Sequence, residues 1–483
     1  MSRPRTVVIV GGGISGLATA FAVQEQAAAK GLSLQCTVLE SDSSWGGKIV
    51  THRIGDLVTE AGPDSFLSQK QAGLDLCAKL GLTDQLINTN ETGKKAFVLH
   101  CGRLHELPEG LVSFVPKQLG PFLRGGLLSW TGLARMGFDV LLPRGPSDGD
   151  ESLASFFRRR FGTQAFERVL EPLMAGIYAG DAEQMSLKAT FPRFFELEQR
   201  HGSIIRGMTA EKKQAPPVSP SGPKRTMFVS LKNGLSDLVT ALRARLEQQG
   251  VECRLGCRVE ALRVRSHQPG RWMYDLILNG GPAVSTESLV LATPAYVSAD
   301  LLRPLTPIAG GLLEMIPYAS TATIAMAYPA DQVTGAVEGF GFIVPRIERR
   351  ELIAATWTSL KWPHRAPAGQ VLIRCYVGGV GREPILQLDD AELVAKVRGE
   401  LSALCGITEN PAYVEVNRWW KAMPQYTLGH LNRLTQLDAA LSRYPGLALT
   451  GAGYRGVGIP DCIRNGALTA AKIIQDLSGT HPS

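Results

Sequence analysis

Three glycines spaced as G-x-G-x-x-G, Gly11, Gly13 and Gly16, stand between the apolar run Val7 to Val10 and a helix-like run that begins near Ser15. In a strand-turn-helix the first glycine permits the tight turn, the second lets a pyrophosphate approach the backbone, and the third lets helix and strand pack closely. The phosphates then meet the unpaired N–H groups of the helix start. A second β-like run, LQCTVLE, ends in Glu40, near the position about 20 residues beyond the glycines where a dinucleotide fold places its ribose-binding carboxylate. The chemistry this spacing supports is adenine-dinucleotide binding. A glycine turn used only for packing in an unrelated α/β domain is the competing reading.

The C-terminal stretch LALTGAGYRGVGIPDCIRNGALTAAKIIQDL repeats the opening pattern of apolar strand, glycine turn and long helix. A long FAD molecule needs a second backbone cradle near its isoalloxazine end, so two glycine turns favour FAD over NAD. A helix start at that end also offers partial positive charge to the reduced ring. Other site chemistries are not supported. The eight histidines show neither triad nor H-E-x-x-H spacing, and the eight cysteines are scattered, Cys253 and Cys257 alone lying close, without partners for a zinc site. They read as reduced, mostly buried thiols.

The elements that must position these residues follow from patterning. A chain of 483 residues with 44% hydrophobic content buries a large core, and about 150 residues per domain implies two or three domains. The fold class is α/β: an FAD-binding Rossmann-like domain interrupted by a helical domain and by a mixed α+β substrate domain. Residues 1–85 form its first part; 86–205 read as helical and as membrane-contacting or lining a hydrophobic cavity; 206–225, rich in Pro and Ser, read as a flexible loop. Residues 226–299 resume the nucleotide domain, 300–410 form the substrate domain, and 411–483 complete the nucleotide domain. Trp357, Trp362, Trp419 and Trp420 read as core residues.

The net charge of +7 and pI near 9.0 suit anionic ligands or lipid headgroups. Lys and Arg are not gathered into tracts interleaved with exposed aromatics, which argues against nucleic acid. The densest patch, FFRRRFG at 156–162, reads as a solvated helix face, or else as a membrane-surface contact or a docking face for an anionic substrate. The apolar runs are too short for a membrane span or a signal peptide, so a cytoplasmic location, with or without peripheral contact at the inner face of the membrane, is expected.

At this point the sequence resembles a family. GGGISGLA, GGK at 46–48, EAGPDSFL at 60–67, EPLMAGIYAGD at 171–181, WTSLKWPH at 357–364, MPQYTLGH at 423–430 and GVGIPDCI at 456–463 are similar to the porphyrinogen oxidases of haem biosynthesis. This is the flavoenzyme family containing protoporphyrinogen oxidase and the bacterial coproporphyrinogen III oxidase, with a fold of the flavin amine oxidase and glutathione reductase type. GPDSFL, WTSLKWPH and GVGIPDCI are closer to the coproporphyrinogen branch. The resemblance implies non-covalent FAD and six-electron oxidation of a porphyrinogen, with O2 as acceptor and H2O2 released. It also implies transient contact with the next enzyme of the haem pathway. The macrocycle's own pyrrole N–H groups give up protons, so no catalytic side chain is assigned. The alternatives are protoporphyrinogen IX as main substrate, another flavin oxidase acting on amines or polyenes, and a flavin-binding protein without turnover.

Carried over residue by residue, the resemblance implies that Gly11, Gly12, Gly13, Ile14, Ser15 and Gly16 hold the pyrophosphate and that Glu40 and Ser41 contact the adenosine ribose. Lys48 and the run Gly62, Pro63, Asp64 and Ser65 line the flavin, Val259 contacts adenine through its backbone, and Ala452, Val457, Gly458 and Ile459 approach the isoalloxazine. Gly176, Ile177 and Tyr178 form the floor of an apolar slot, backbone carbonyls there being able to accept pyrrole N–H bonds. Lys70 matches a basic position that binds propionates. Where mitochondrial-type relatives carry a basic residue this chain has Ala96, with Lys94 and Lys95 adjacent. His430 and Cys462 read as structural.

Overall fold

The parallel sheet that carries both glycine bends is assembled from three distant parts of the sequence. The computed structural model describes residues 4–91, 95–107, 126–214, 225–268, 271–333 and 338–478. Its five-stranded sheet runs in the order Glu252–Arg254, Leu34–Leu39, Arg5–Val10, Ser288–Leu291, Leu447–Leu449, with every neighbouring pair parallel. Val8 lies opposite Thr37 on one side and Leu289 on the other. Such strands are covered on both faces, which is why they read as unbroken apolar runs. On one face lie the helices Ile14–Ala29 and Ile459–Ser478. They approach closely because Gly466 lacks a side chain: a Cβ there would sit 2.8 Å from Thr19 Oγ1. The other face packs Val8, Val10 and Leu291 against Val259, Leu262 and Tyr274 of an antiparallel three-stranded sheet. Each fully buried Val or Leu of this kind contributes about 1.5–3 kcal/mol.

A second sheet of seven strands runs in the order Tyr413–Pro424, Tyr318–Pro329, Gln370–Gly378, Leu352–Trp357, Gly341–Ile343, Phe97–His100, Arg103–Glu106. Its last two strands fall within the segment read as helical. They form a hairpin because Cys101 and Gly102 both take the left-handed conformation, φ +50° and +73°, which a tight two-residue turn requires. On the strand Tyr413–Pro424, Trp419 is half-buried and Trp420 is exposed. The core assignment therefore holds for Trp357 and Trp362 but not for Trp420, which strand alternation turns outward.

The helical region has its own core around Phe156, Phe157, Phe161, Met174 and Leu197. Within FFRRRFG only Arg160 is withdrawn from solvent; Arg158 and Arg159 stay partly exposed, but in ion pairs. Arg160 is fully buried, with Nε donating to Glu198 Oε1 at 2.6 Å and Nη1 to Asp139 Oδ1 at 3.3 Å. Arg159 pairs with Glu151 and Glu198 at 2.7 Å each, and Arg158 with Glu183 at 2.5 Å. Internal carboxylates consume the charge that the sequence displays. In the apolar stretch before it, Leu127, Leu128, Leu133 and Met136 are buried, whereas Trp130, Phe138 and Leu141 are exposed. The Pro- and Ser-rich segment begins as helix, Ile204–Gln214; residues 215–224 lie outside the described residues, as does Lys94.

Candidate active site

Two of the three motif glycines in the first bend make close approaches. Gly11, at φ +112°, leaves 3.0 Å between a would-be Cβ and the Ala292 carbonyl, and a Cβ on Gly16 would fall 1.8 Å from Gly11 O. Gly13, by contrast, has room: its Cβ position meets nothing nearer than 3.9 Å. The helix that follows starts at Ile14 with no side-chain cap and no acidic residue in its first turn, although its first residues are buried. Buried helix starts normally find partners for their free N–H groups, so this one is built to receive an anion. Glu40 closes the bend from the neighbouring strand: Gly12 N donates to its Oε2 at 2.5 Å, while Asp42 N and Ser41 Oγ donate to Oε1 at 2.9 and 3.1 Å. The strand beginning at Val259 starts just beyond this carboxylate, since Cys257 N donates to Glu40 O at 2.8 Å.

The second bend lies directly on the first. A Cβ at Gly451 would be 3.9 Å from Ser15 Oγ, and Ser15 hydrogen-bonds to Cys462, whose thiol pKa burial raises. Tyr426 fixes the turn by donating to Ala452 O at 2.6 Å and accepting from Gly456 N at 2.7 Å. Val457, within the bend, also packs against the helical core. Asp461, in the first turn of the last helix, folds under Gly456 and Gly458 and pairs with Lys70 Nζ at 2.5 Å. The positive helix end at Ile459 is thus partly offset by Asp461 and restored by Lys70, a partner that local sequence does not reveal.

The segments 46–48 and 60–65 complete the cradle. Gly46 N donates to Gly12 O at 2.9 Å, and a Cβ at Gly62 would collide with Lys48 O at 1.8 Å. Lys48 keeps solvent access, yet surrounding protein desolvates its ammonium and lowers its pKa. Arg374 donates to Ala61 O at 3.0 Å and also to Gly62 O. Asp64 accepts from Lys361 Nζ at 2.9 Å, Trp362 Nε1 at 3.0 Å and Ser65 Oγ at 2.6 Å. Burial alone would raise the Asp64 pKa; Lys361 and Arg374, with those hydrogen bonds, outweigh it and hold the carboxyl well below the usual range.

The substrate candidates separate into two groups. Gly176 and Ile177, at the end of the helix Glu171–Tyr178, are exposed, and a Cβ on Gly176 would meet nothing within 4 Å. Tyr178 is buried between Phe191 and Tyr426, and its carbonyl is taken by Gln425 Nε2 at 2.9 Å, so the open surface here is Gly176–Ile177. Ala179 closes the helix in the left-handed conformation, with its carbonyl bonded to Val380 N at 2.9 Å. Lys95 lies apart, at the edge of the seven-stranded sheet, where Glu338 and Glu106 hold it at 2.6 and 3.4 Å. Sequence reasoning did not single out Lys361, Arg374, Gln425 or the Ser15–Cys462 contact as site residues. WTSLKWPH contained the first of these as a motif, without its partner.

An uncapped buried helix start, a carboxylate beside it and a second backbone bend resting on the first fit an extended dinucleotide of the flavin type and define a flavin oxidoreductase. The chain belongs to the flavin-containing amine oxidoreductase family, whose model matches residues 14–474. It is 39% identical over 461 residues to the coproporphyrinogen III oxidase of Bacillus subtilis, covering 95% of this chain and 96% of that protein. It is 33% identical to the chloroplastic protoporphyrinogen oxidase 1 of Spinacia oleracea, covering 98% of this chain and 84% of the relative. A solved structure from Exiguobacterium, described as a protoporphyrinogen oxidase, superposes with a TM-score of 0.85 at 33% identity, covering 99% and 100% of the two chains.

Proposed function

We propose that this protein oxidises a porphyrinogen to the porphyrin in haem biosynthesis, with coproporphyrinogen III as the favoured substrate. The observation that carries the reading is the similarity, along nearly the whole chain, to bacterial coproporphyrinogen III oxidases. When bound, FAD supplies a two-electron acceptor that O2 reoxidises. The chain's own residues supply position. Gly11 to Gly16 hold the pyrophosphate and Glu40 the adenosine ribose, with Ser41 and Val259 beside it. Lys48, Gly62 to Ser65, Ala452 and Val457 to Ile459 hold the flavin half. The open Gly176–Ile177 surface takes the flat ligand, and Lys70, anchored on Asp461, sets positive charge at the rim for propionates. Holding reacting atoms about 3–3.5 Å apart is the main contribution such a site makes. The substrate loses its own pyrrole protons, which is consistent with a site built from backbone and apolar surface.

No helix among the described residues is long and apolar enough to cross a membrane. Exposed Trp130, Phe138 and Leu141 support peripheral contact with a membrane surface.

The test is anaerobic addition of coproporphyrinogen III to the purified yellow protein, then admission of air. Bleaching followed by coproporphyrin fluorescence is expected, with a higher kcat/KM than for protoporphyrinogen IX. A flavin that stays oxidised with both substrates, or that responds to amines instead, overturns the reading.

A further inference from the structure

The loops at 346–351 and 379–382 line a wide, open surface hollow of about 340 Å³, bordered by Arg346, Arg349, Arg350, Glu351, Gly381 and Arg382. Four arginines and one glutamate line it, and Glu383 accepts from Gly381 N at 2.8 Å at its edge. Among the described residues, only Arg346 of the four holds a carboxylate at ion-pair distance, Glu171 at 3.8 Å. The other acid of the loop, Glu348, is turned away and engaged by Cys101 N at 2.9 Å and His100 Nδ1 at 3.4 Å. This contrasts with Arg158 to Arg160, whose charges are met by internal carboxylates. Arg349 also sits at φ +52°, a left-handed conformation that strains a non-glycine residue and clusters at ligand sites. Burial and the neighbouring Arg346 depress the Arg382 pKa, against Glu171, Glu351 and Glu400, which raise it, so these like charges are partly compensated.

The cavity is mechanically joined to the helix with the open Gly176 surface. Arg346 reaches Glu171 at the start of that helix and donates to Val380 O, while Val380 N holds Ala179 O at the other end at 2.9 Å. Guanidinium forks match carboxylates two bonds at a time, so several facing one space select a ligand with several carboxylates.

We propose that Arg346, Arg349, Arg350 and Arg382 form a polycarboxylate-binding pocket, distinct from the flavin cradle and mounted on the back of the Glu171–Tyr178 helix. The site itself follows from the charge arrangement. That its occupant is a carboxylated tetrapyrrole, rather than a soluble tricarboxylate, rests on the porphyrinogen reading.

The test is calorimetric titration of the flavin-loaded protein with citrate and, separately, with coproporphyrin III. The variants are Arg349→Gln/Arg350→Gln and Arg382→Gln, with Arg243→Gln/Arg245→Gln, on the helix Ser236–Gln248, as a control matching the charge change of the double variant and Arg245→Gln alone matching that of the single one. Citrate binding that weakens at least about tenfold in the two pocket variants, and less than about twofold in the control, is the expected result. A second coproporphyrin site lost in the pocket variants identifies the tetrapyrrole source; citrate binding alone identifies the soluble one. Absence of binding by both ligands at about 0.15 M ionic strength, or equal weakening in the control, overturns the pocket. Flavin bleaching by coproporphyrinogen III, followed in parallel, reports on the porphyrinogen reading independently of the citrate result.

Discussion

Asp64 and Lys361 form an ion pair at 2.9 Å across 297 residues of sequence. Trp362 adds a second bond to the same carboxylate oxygen, and one step away Arg365 pairs with Glu60 at 3.3 Å, both side chains buried. The motifs at 60–67 and 357–364, unconnected in the sequence, are therefore one joint. It clamps the Gly62–Ser65 turn, whose carbonyls Arg374 also holds, against the glycine bends. A cradle made mostly of backbone has few side chains of its own to fix it, so rigidity comes from such joints behind it.

Replacing Asp64 by Asn leaves the Lys361 ammonium without its counter-charge, which costs about 2 kcal/mol of stability at neutral pH. The Asp64 carboxyl is held well below the usual range in the folded state. Its contribution is then full above an unfolded value of about 3.9 and is lost as pH falls through the folded value. Urea unfolding from pH 6 downward should show a steeper loss below about pH 4 for the wild type than for Asp64→Asn. Parallel curves would refute the pair's role.

Gly13 and Gly16 separate fold from cofactor. A Cβ at Gly16 strikes Gly11 O at 1.8 Å, so Gly16→Ala disturbs the bend itself and lowers both stability and flavin content. At Gly13 a Cβ has 3.9 Å of clearance and φ is −73°, so Gly13→Ala should fold as the wild type does. Its added methyl occupies the space that a pyrophosphate needs, and flavin absorbance per protein after native purification should fall at least about tenfold. Full retention of flavin would place the pyrophosphate elsewhere.

What the sequence made legible was local. The α/β class, both glycine bends and the place of Glu40 follow from runs of adjacent residues, because the jobs of Gly11 and Gly16 are set by neighbours within a strand-turn-helix. Pairings fixed only by tertiary folding stayed hidden. Lys70 looks like a free cation until Asp461, 391 residues later, arrives beside it. Arg160 looks like surface charge until Asp139 and Glu198 bury it. Residues 97–106 contain their hairpin signal, a glycine between alternating apolar residues, but the strands they join lie more than 200 residues away. The arginine pocket is built from two loops, neither of which is basic enough alone to draw notice.

His430 gives the chain an acid-sensitive joint. It is fully buried, donates from Nε2 to Tyr454 O at 2.8 Å and stacks on Tyr426 at 4.2 Å, with Nδ1 lacking a partner among the described residues. Burial lowers its pKa to about 4. Between an unfolded value of about 6.5 and that figure only the unfolded chain takes up the proton, so stability falls as pH drops through this window, by on the order of 3 kcal/mol. Because Tyr426 also holds Ala452 and Gly456, flavin should be released in the same range. His430→Gln, less stable at neutral pH, should lose this slope in urea unfolding measured from pH 7 to 4; an unchanged slope assigns the acid sensitivity to other groups.

Gly176 decides whether the helix Glu171–Tyr178 fronts the substrate. Its Cβ position meets no atom within 4 Å, and leucine favours a helix over glycine by about 1 kcal/mol. Gly176→Leu should therefore leave the melting temperature unchanged or slightly raised and the flavin fully bound. If the open surface at Gly176 and Ile177 receives the macrocycle, four added carbons stand where the flat ligand must lie. Turnover of coproporphyrinogen III should then drop at least about tenfold in kcat/KM, while anaerobic flavin reduction by dithionite stays as in the wild type. A variant with wild-type kcat/KM would move the slot to another wall of the cleft.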